Sequence, residues 1–390
     1  MASPDLIADA RQRSLIETTT TATNRGLKLW RQMDFNALDA SWSIIAPQLV
    51  AQATSAQAHV AQGADRFTSS LSAEYGFNAE NSRIVPEAFA GVDGSGRSTE
   101  SLLRGAVTTT KEAIGAGLGR IQSMEAGATF LAAMMKTAIA DMGRSADMVS
   151  SAGKGYTQYV RVVEPGACSR CILLAGSTRF KPFKRHPACK CTCQPIPKSE
   201  LDSTDRYSPG GVFDAMSEAE QNRAFSKAGA AAIREGADIS QVVSARRGAA
   251  GIGYSHRMPT GSQFNRMKKT TIGVRPDGTA VRLYTTTEGT TVRGQFGRSQ
   301  VGASGSTKLA NDRYSKVNRV RLMPESIMEI AGDNTALRQA FLRDAGYLEY
   351  RPANGFDSAN RWVKEIEEMR RNDRILVNQA TLRYGNFTLG

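Results

Sequence analysis

The sequence predicts a mainly helical protein with a small α+β module at its centre, and three observations carry that expectation. Apolar residues recur at helical spacing through residues 5–75. All five cysteines and one of the three histidines fall between Cys168 and Cys193. Between Gly251 and Lys308 large apolar residues become scarce, and Gly, Ser, Thr and Arg take their place. These changes of texture divide the chain into an N-terminal helical half (1–150), a central module with the helices that follow it (151–250), long basic loops with a hairpin and arm (251–320) and a small helical C-terminal domain (321–390).

Leu27, Leu29, Trp30, Met33, Leu38 and Trp42, then Ile44, Ile45, Leu49 and Val50, keep the 3.6-residue period that puts apolar side chains on one helix face. Pro47 is expected near a helix start, where its missing N–H is harmless. The alanine-rich run from Val50 to Gly63 favours helix but offers a weak apolar face, which suits close packing against other helices. Pro86, Gly91, Gly94 and Gly96 break the pattern into a loop over 78–97. Ser98 and Thr99 can cap a helix through Leu102, Leu103, Val107 and Ile114. Gly115, Gly117 and Gly119 predict a break or a close helix crossing, since glycine costs up to about 1 kcal/mol against alanine inside a helix. A further helix is expected over Ser123–Met142, with Met124, Met134, Met135 and Met142 as adaptable core or partner surface. Its apolar run is interrupted by Lys136 and Asp141, and no stretch approaches the roughly 20 apolar residues that span a bilayer.

Tyr156, Tyr159, Val160, Val162 and Val163 then read as a strand, and Pro165-Gly166 turns the chain into Cys168-Ser-Arg-Cys171. Ile172 to Gly176 would form a short helical turn or strand beneath that pair, and Phe180 and Phe183 could cover it. The second half of the stretch is His186-Pro-Ala-Cys189-Lys-Cys191-Thr-Cys193, leaving in extended form through Pro195 and Pro197. Five cysteines and a histidine in one short window point to a shared ligand. Zinc takes thiolate and imidazole in a tetrahedron, commonly with a Cys-x-x-Cys turn facing a second pair of donors. The predicted ligands are Cys168 and Cys171, then His186 with one of Cys189 or Cys191. Cys193 is the spare, since all three later cysteines share a face of an extended segment. The central module is thus expected to be zinc-stapled.

Other chemistries compete for the same residues. Disulfides would leave one of five cysteines over, and the start Met-Ala-Ser-Pro-Asp-Leu has no basic region followed by an apolar run, so no secretory signal is expected. A redox Cys-x-x-Cys needs a strand-to-helix setting that the sequence does not display. A cysteine nucleophile paired with His186 lacks a recognisable orienting group and oxyanion site.

Downstream, Ser217-Glu-Ala-Glu220 is a capping box for a helix to about Glu235, and a second short helix runs to Arg246-Arg247-Gly248. That pair could imitate a helix-turn-helix, but one turn-like junction is weak support for base readout. Thr270–Val274 and Val281–Tyr284 flank Pro276-Asp277-Gly278 as a hairpin. The rest of 251–308 is expected to be loop or arm ordered against a partner. Helices are expected over Glu325–Ala331, Thr335–Ala345 with Gly346 as C-cap, and Ser358–Arg374. The net charge of +13 calls for an acidic partner such as nucleic acid, a membrane surface or an acidic protein, and the excess is concentrated between Arg246 and Arg321. A merely solvated basic face accounts for it equally well.

Tyr159-Val-Arg-Val-Val-Glu-Pro-Gly-Ala-Cys-Ser-Arg-Cys171, followed by Lys184-Arg-His-Pro-Ala-Cys-Lys-Cys191 and the Pro-x-Pro exit, resembles the head morphogenesis, MuF-like minor capsid proteins of tailed bacteriophages, particularly those infecting actinobacteria. Met216–Gln221, Phe225–Gly229, Ile233–Gly248, Thr285–Thr291 and Arg321–Glu325 are similar to segments of the same group, so the resemblance covers roughly the second half of the chain. That family pattern commonly has one charged residue between two terminal cysteines and no third. Cys193 is an addition here, and it leaves the fourth ligand open. The resemblance implies a structural component of the virion or procapsid, in the capsid interior or at the portal vertex after assembly in the host cytoplasm. The implied partners are the portal protein and the major capsid or scaffold protein, with packaged DNA along Arg246–Arg321 and no membrane.

Many members of that group are labelled capsid maturation proteases, so a protease is the alternative function and a DNA-binding structural protein the second. The sequence holds no His-Glu-x-x-His and no Gly-x-Ser-x-Gly. His59 and His256 have no evident partners in the sequence, and the surplus of cysteine donors favours a closed structural site over an open catalytic one. Thr285–Thr291 around Glu288 is the most enzyme-like stretch left, and reads equally well as a strand and turn.

Overall fold

A computed structural model describes residues 3–250 apart from 165, 180, 182 and 204–206, most of 269–348, and 368, 371, 383–384 and 387–388. The expected helix Ser358–Arg374, the segment 251–268 and His256 lie outside the described residues. The chain forms two compact units, Met1–Ala167 with Leu174–Ala215 and Met216–Gly390, the short Cys168–Leu173 segment grouping with the second.

In the first unit, Ser3 caps α1 (Pro4–Trp30) by accepting from the Leu6 amide. It is followed by α2 (Leu38–Gln62), α3 (Ala64–Glu74), α4 (Thr99–Gly115) and α5 (Arg120–Gly153). Ser98 caps α4 as expected, accepting from the Ser101 amide at 3.2 Å. The other four helices all pack on α5. Their shared core includes Trp30, Trp42, Leu49, Leu103, Leu131, Met135 and Ile139, each burial being worth about 1.5–3 kcal/mol for a Leu-sized side chain.

Two expectations are corrected here, and a third is met by one of its two alternatives. Pro47 lies inside α2, not at its start. Ser43, whose carbonyl loses its i+4 donor, is exposed, so water can serve that carbonyl. Of the break or close crossing expected at Gly115–Gly119 the break is present, with Gly117 at φ +80°, and a close crossing is found at another glycine. A Cβ on Gly127 would stand 2.5 Å from Trp30 Cζ2 and 2.9 Å from the Ala106 carbonyl oxygen, so α4 and α5 approach backbone to backbone there. The helix expected over 123–142 runs on to Gly153. Its last turns carry no apolar stripe, and their buried face is polar and paired. Asp147 meets Arg11, and Ser150 donates to Asp65 and shares a hydrogen bond with Thr68. Hydrophobic periodicity is blind to such a face.

The first unit continues into a three-stranded antiparallel sheet. Its centre is β1 (Gln158–Val162), flanked by β2 (Ser177–Arg179) and β3 (Thr192–Pro195), in the order β2-β1-β3. Between β1 and β2 lies α6 (Ser169–Leu173), and α7 (Pro209–Ala215) closes the unit. The boundary expected at 150 therefore falls inside a packed unit. Gln12 of α1 donates to the Val162 carbonyl at 3.2 Å, binding the sheet to the helices.

In the second unit the Ser217–Glu220 capping box starts α8 (Glu218–Phe225), but the helix expected to reach Glu235 breaks at Ser226 (φ +65°), which caps α9 (Lys227–Arg234) instead. Then come α10 (Ile239–Ala250) and the expected hairpin of β4 (Lys269–Val274) and β5 (Ala280–Thr286). A helix, α11 (Gln295–Ser304), occupies part of the stretch expected as arm, anchored by buried Phe296. Short strands β6 (Ser306–Thr307) and β7 (Lys316–Val317) pair with each other, and β8 (Arg321–Leu322) adds to β5. α12 (Pro324–Ala331) and α13 (Thr335–Asp344) follow as expected.

The two arginines bracketing the expected basic stretch are not surface charges. Arg321 is fully buried, donating to the carbonyls of Ala345, Glu288 and Gly346 and to Gln241 Oε1. Arg246 pairs with Glu325 at 3.3 Å. Exposed cations do remain at Arg293, Arg298, Lys308 and Arg313. No helix among the described residues is long and apolar enough to cross a membrane.

Candidate metal centre

The cysteine and histidine stretch converges. The α6 turn, with the Cys171 amide donating to the Cys168 carbonyl at 2.9 Å, sets those two side chains three residues apart on one side. A second turn, closed by the Cys189 amide on the His186 carbonyl at 3.2 Å and by Ala188 at φ +58°, brings His186 next to the start of an extended segment. In that segment Cys189 and Cys191 project to the same side. Two overlapping groups result: Cys168, Cys171 and His186, and Cys171, Cys189 and Cys191, the ligand atoms of each lying within 4.8 Å of one another. A tetrahedral ion with metal–sulfur bonds of about 2.3 Å would hold its sulfurs about 3.8 Å apart, so each group of three fits such an ion with small adjustments, and a fourth donor has to come from the other group. Cys171, Cys189 and Cys191 are buried, His186 is half-buried and Cys168 is exposed; none of the five cysteines is in a disulfide.

His186 Nδ1 lies 2.8 Å from the Pro187 carbonyl oxygen. A carbonyl can only accept, so that contact puts the ring proton on Nδ1 and leaves the Nε2 lone pair for a metal. Cys193 belongs to neither group. It sits in β3 opposite Arg161, and burial, reinforced by the charge of Asp147, pushes its thiol up to about 12. Phe183 lies over the guanidinium of Arg161, 3.8 Å away, with that of Arg144 at 5.2 Å, so its ring covers the arginines that brace the stretch. Phe180 lies outside the described residues.

The residues that position these donors gave little sign of themselves in the sequence. Arg161 of β1 is buried and donates to the carbonyls of Leu174 and Lys184, tying down the chain before and after β2. Arg144 of α5 donates to the carbonyls of Cys189 and Cys191. Thr137 Oγ1 accepts from the Ala188 amide at 2.8 Å. Glu164, 3.7 Å from Lys190, has its carboxyl raised by burial against the pull of that lysine. The available signal was Asp141, a carboxylate in an otherwise apolar helix, because a buried charge demands a partner.

Elsewhere, the threonine-rich stretch is built into the sheet. Thr286 Oγ1 donates to the Ala245 carbonyl at 2.7 Å and accepts from the Glu288 amide. His59 is exposed on α2. No protein-family model matches the chain, and no curated protein or solved structure matches it significantly.

Proposed function

We propose that this chain is a structural minor component of a tailed-bacteriophage head, whose stretch from Cys168 to Cys191 holds one structural zinc ion. The convergence of Cys168, Cys171, His186, Cys189 and Cys191 supports the metal. Thiolates with one imidazole suit zinc, and a fourth protein donor drawn from the neighbouring group of three would close the shell to a reacting water. The zinc module is then a staple for a short loop-rich segment with little core of its own. The assignment to a phage head rests on the sequence resemblance of residues 159–171 and 184–191, which contain those donors. The helical N-terminal half would engage the portal, and the second unit would meet the major capsid or scaffold protein or packaged DNA.

Two measurements on the full chain test the two halves of this proposal. Elemental analysis of protein purified under reducing conditions is expected to give about one zinc per chain, lost in Cys171→Ser. A folded chain devoid of zinc would remove the metal. Co-expression with portal and capsid proteins is expected to leave the chain in purified heads, and its absence from them would remove the head assignment. If purified chain also cleaved the capsid or scaffold protein, the maturation protease would replace the purely structural role.

A further inference from the structure

We infer that α5 is the template for the metal centre, with Arg144 as its main positioning residue; this inference rests on the zinc proposal above. The Arg144 side chain is almost wholly buried, and it reaches the ligand segment through one nitrogen. Its Nη1 donates to the Cys189 carbonyl at 3.1 Å and to the Cys191 carbonyl at 3.0 Å. Its Nη2 donates to Asp141 Oδ1 at 2.6 Å, one turn earlier on the same helix. Asp141 in turn accepts from Arg185 Nε at 2.9 and 3.0 Å, which fixes the residue before His186. Thr137, a further turn back, receives the Ala188 amide.

One helix face therefore grips the segment 185–191 along its length. Holding two carbonyls two residues apart on a single nitrogen enforces the extended conformation in which Cys189 and Cys191 point the same way. Those carbonyls belong to buried residues, so without Arg144 they would need other donors. The guanidinium also places a permanent positive charge beside a centre that carries net negative charge once three or more thiolates surround a divalent ion. Supporting interactions of this kind are typically worth about 10–100-fold in metal affinity. Linkage requires the reverse as well: metal binding must stabilise the α5 hydrogen bonds by the same factor.

The test is zinc affinity, by competition with a chromophoric chelator, for full-length wild type, Arg144→Ala, Arg144→Lys and Thr137→Val. Affinity is expected to fall about 10–100-fold in Arg144→Ala and less in Arg144→Lys, which keeps the charge but loses the fork. Two readouts separate positioning from general destabilisation in variants that keep wild-type helicity. The cobalt-substituted absorption spectrum should change. Alkylation of Cys189 and Cys191 in metal-free protein should accelerate over wild type, because the segment is no longer held against α5. Wild type that binds zinc, with Arg144→Ala binding equally tightly, overturns the inference and leaves the zinc proposal intact. Wild type that binds none removes both. If Arg144→Ala does not fold, the near-isosteric Thr137→Val decides, and unchanged affinity and alkylation rate in that variant overturn the template role.

Discussion

Arg11 of α1 meets Asp147 of α5 in a two-pronged ion pair, Nε and Nη2 donating to Oδ1 at 3.0 and 2.7 Å, with both side chains buried. Arg11 also donates to the Val60 carbonyl of α2, so the pair ties three helices together. Burial raises the Asp147 carboxyl even against Arg11, which means the charge depends on its partner. Arg11→Met is expected to cost about 3–5 kcal/mol in chemical denaturation, and Arg11→Met with Asp147→Leu to recover most of that, since neither charge is then desolvated. A single-variant cost below about 1 kcal/mol would show that the pair behaves as an exposed one.

Gly127 is expected to be irreplaceable at the α4–α5 crossing. Its nearest neighbours include the Ala106 carbonyl, which cannot swing aside as a side chain can. Gly127→Ala should gain helix propensity yet lose about 1–3 kcal/mol to overpacking, a drop in Tm that a thermal melt would reveal. A raised Tm would mean that the helices can separate at no cost.

Arg321 organises the second unit. Besides its four acceptors it stacks 4.5 Å from the buried Tyr347 ring. Arg321→Met removes a donor from the carbonyls of buried Ala345 and Gly346, at about 1–3 kcal/mol each. Hydrogen exchange should rise across 281–286 and 321–347 while α1–α5 stay protected. Uniform exchange over both units would show them unfolding together.

The loop before α4 should be acid-sensitive. Burial acts to raise the Asp93 carboxyl, but hydrogen bonds from the Ser95 amide and hydroxyl and from Arg97 outweigh it and hold it below the ordinary carboxylate range. A carboxyl lowered by folding stabilises the loop above its unfolded value of about 3.9, and that contribution disappears as pH falls through the folded value. Amide exchange over 91–98 is expected to quicken below about pH 4, with the acid dependence gone in Asp93→Asn. The same acid profile in both proteins would assign it to another group.

The proposed contact with packaged DNA is tested at exposed cations of the second unit. Arg293 and Arg313 both lie against Tyr314, at 4.4 and 5.3 Å. Replacing both with Ala should reduce the slope of log affinity against log salt by about 0.9 for each phosphate that is no longer neutralised. An unchanged slope would place any DNA-binding surface elsewhere.

Much of this architecture was legible in the sequence because it rests on local rules. The Ser98 cap, the Ser217–Glu220 box, the hairpin around Pro276-Asp277-Gly278 and the helical period of α1 to α4 each follow from neighbours a few residues apart. So does the Cys/His cluster that could hold a metal ion, since Cys168 to Cys191 lie in one short stretch whose turns bring them together. The end of α5 was not legible, because its buried face is built from Arg144, Asp147 and Ser150, residues that ordinarily signal solvent. The burial of Arg246 and Arg321 was not legible for the same reason: a charge count registers a guanidinium but not the carboxylate or carbonyls that receive it.

The sequence by itself therefore determined which residues could bind a metal, where helices begin, and that the chain is mainly helical. Only the tertiary structure decided which charges are buried, where helices cross most closely, and what holds Cys189 and Cys191 in register. Those outcomes depend on partners more than a hundred residues apart, such as Arg11 with Asp147, or tens of residues apart, such as Arg144 with Cys191. A buried polar group is stable only when such a partner is in place, and no local pattern announces it.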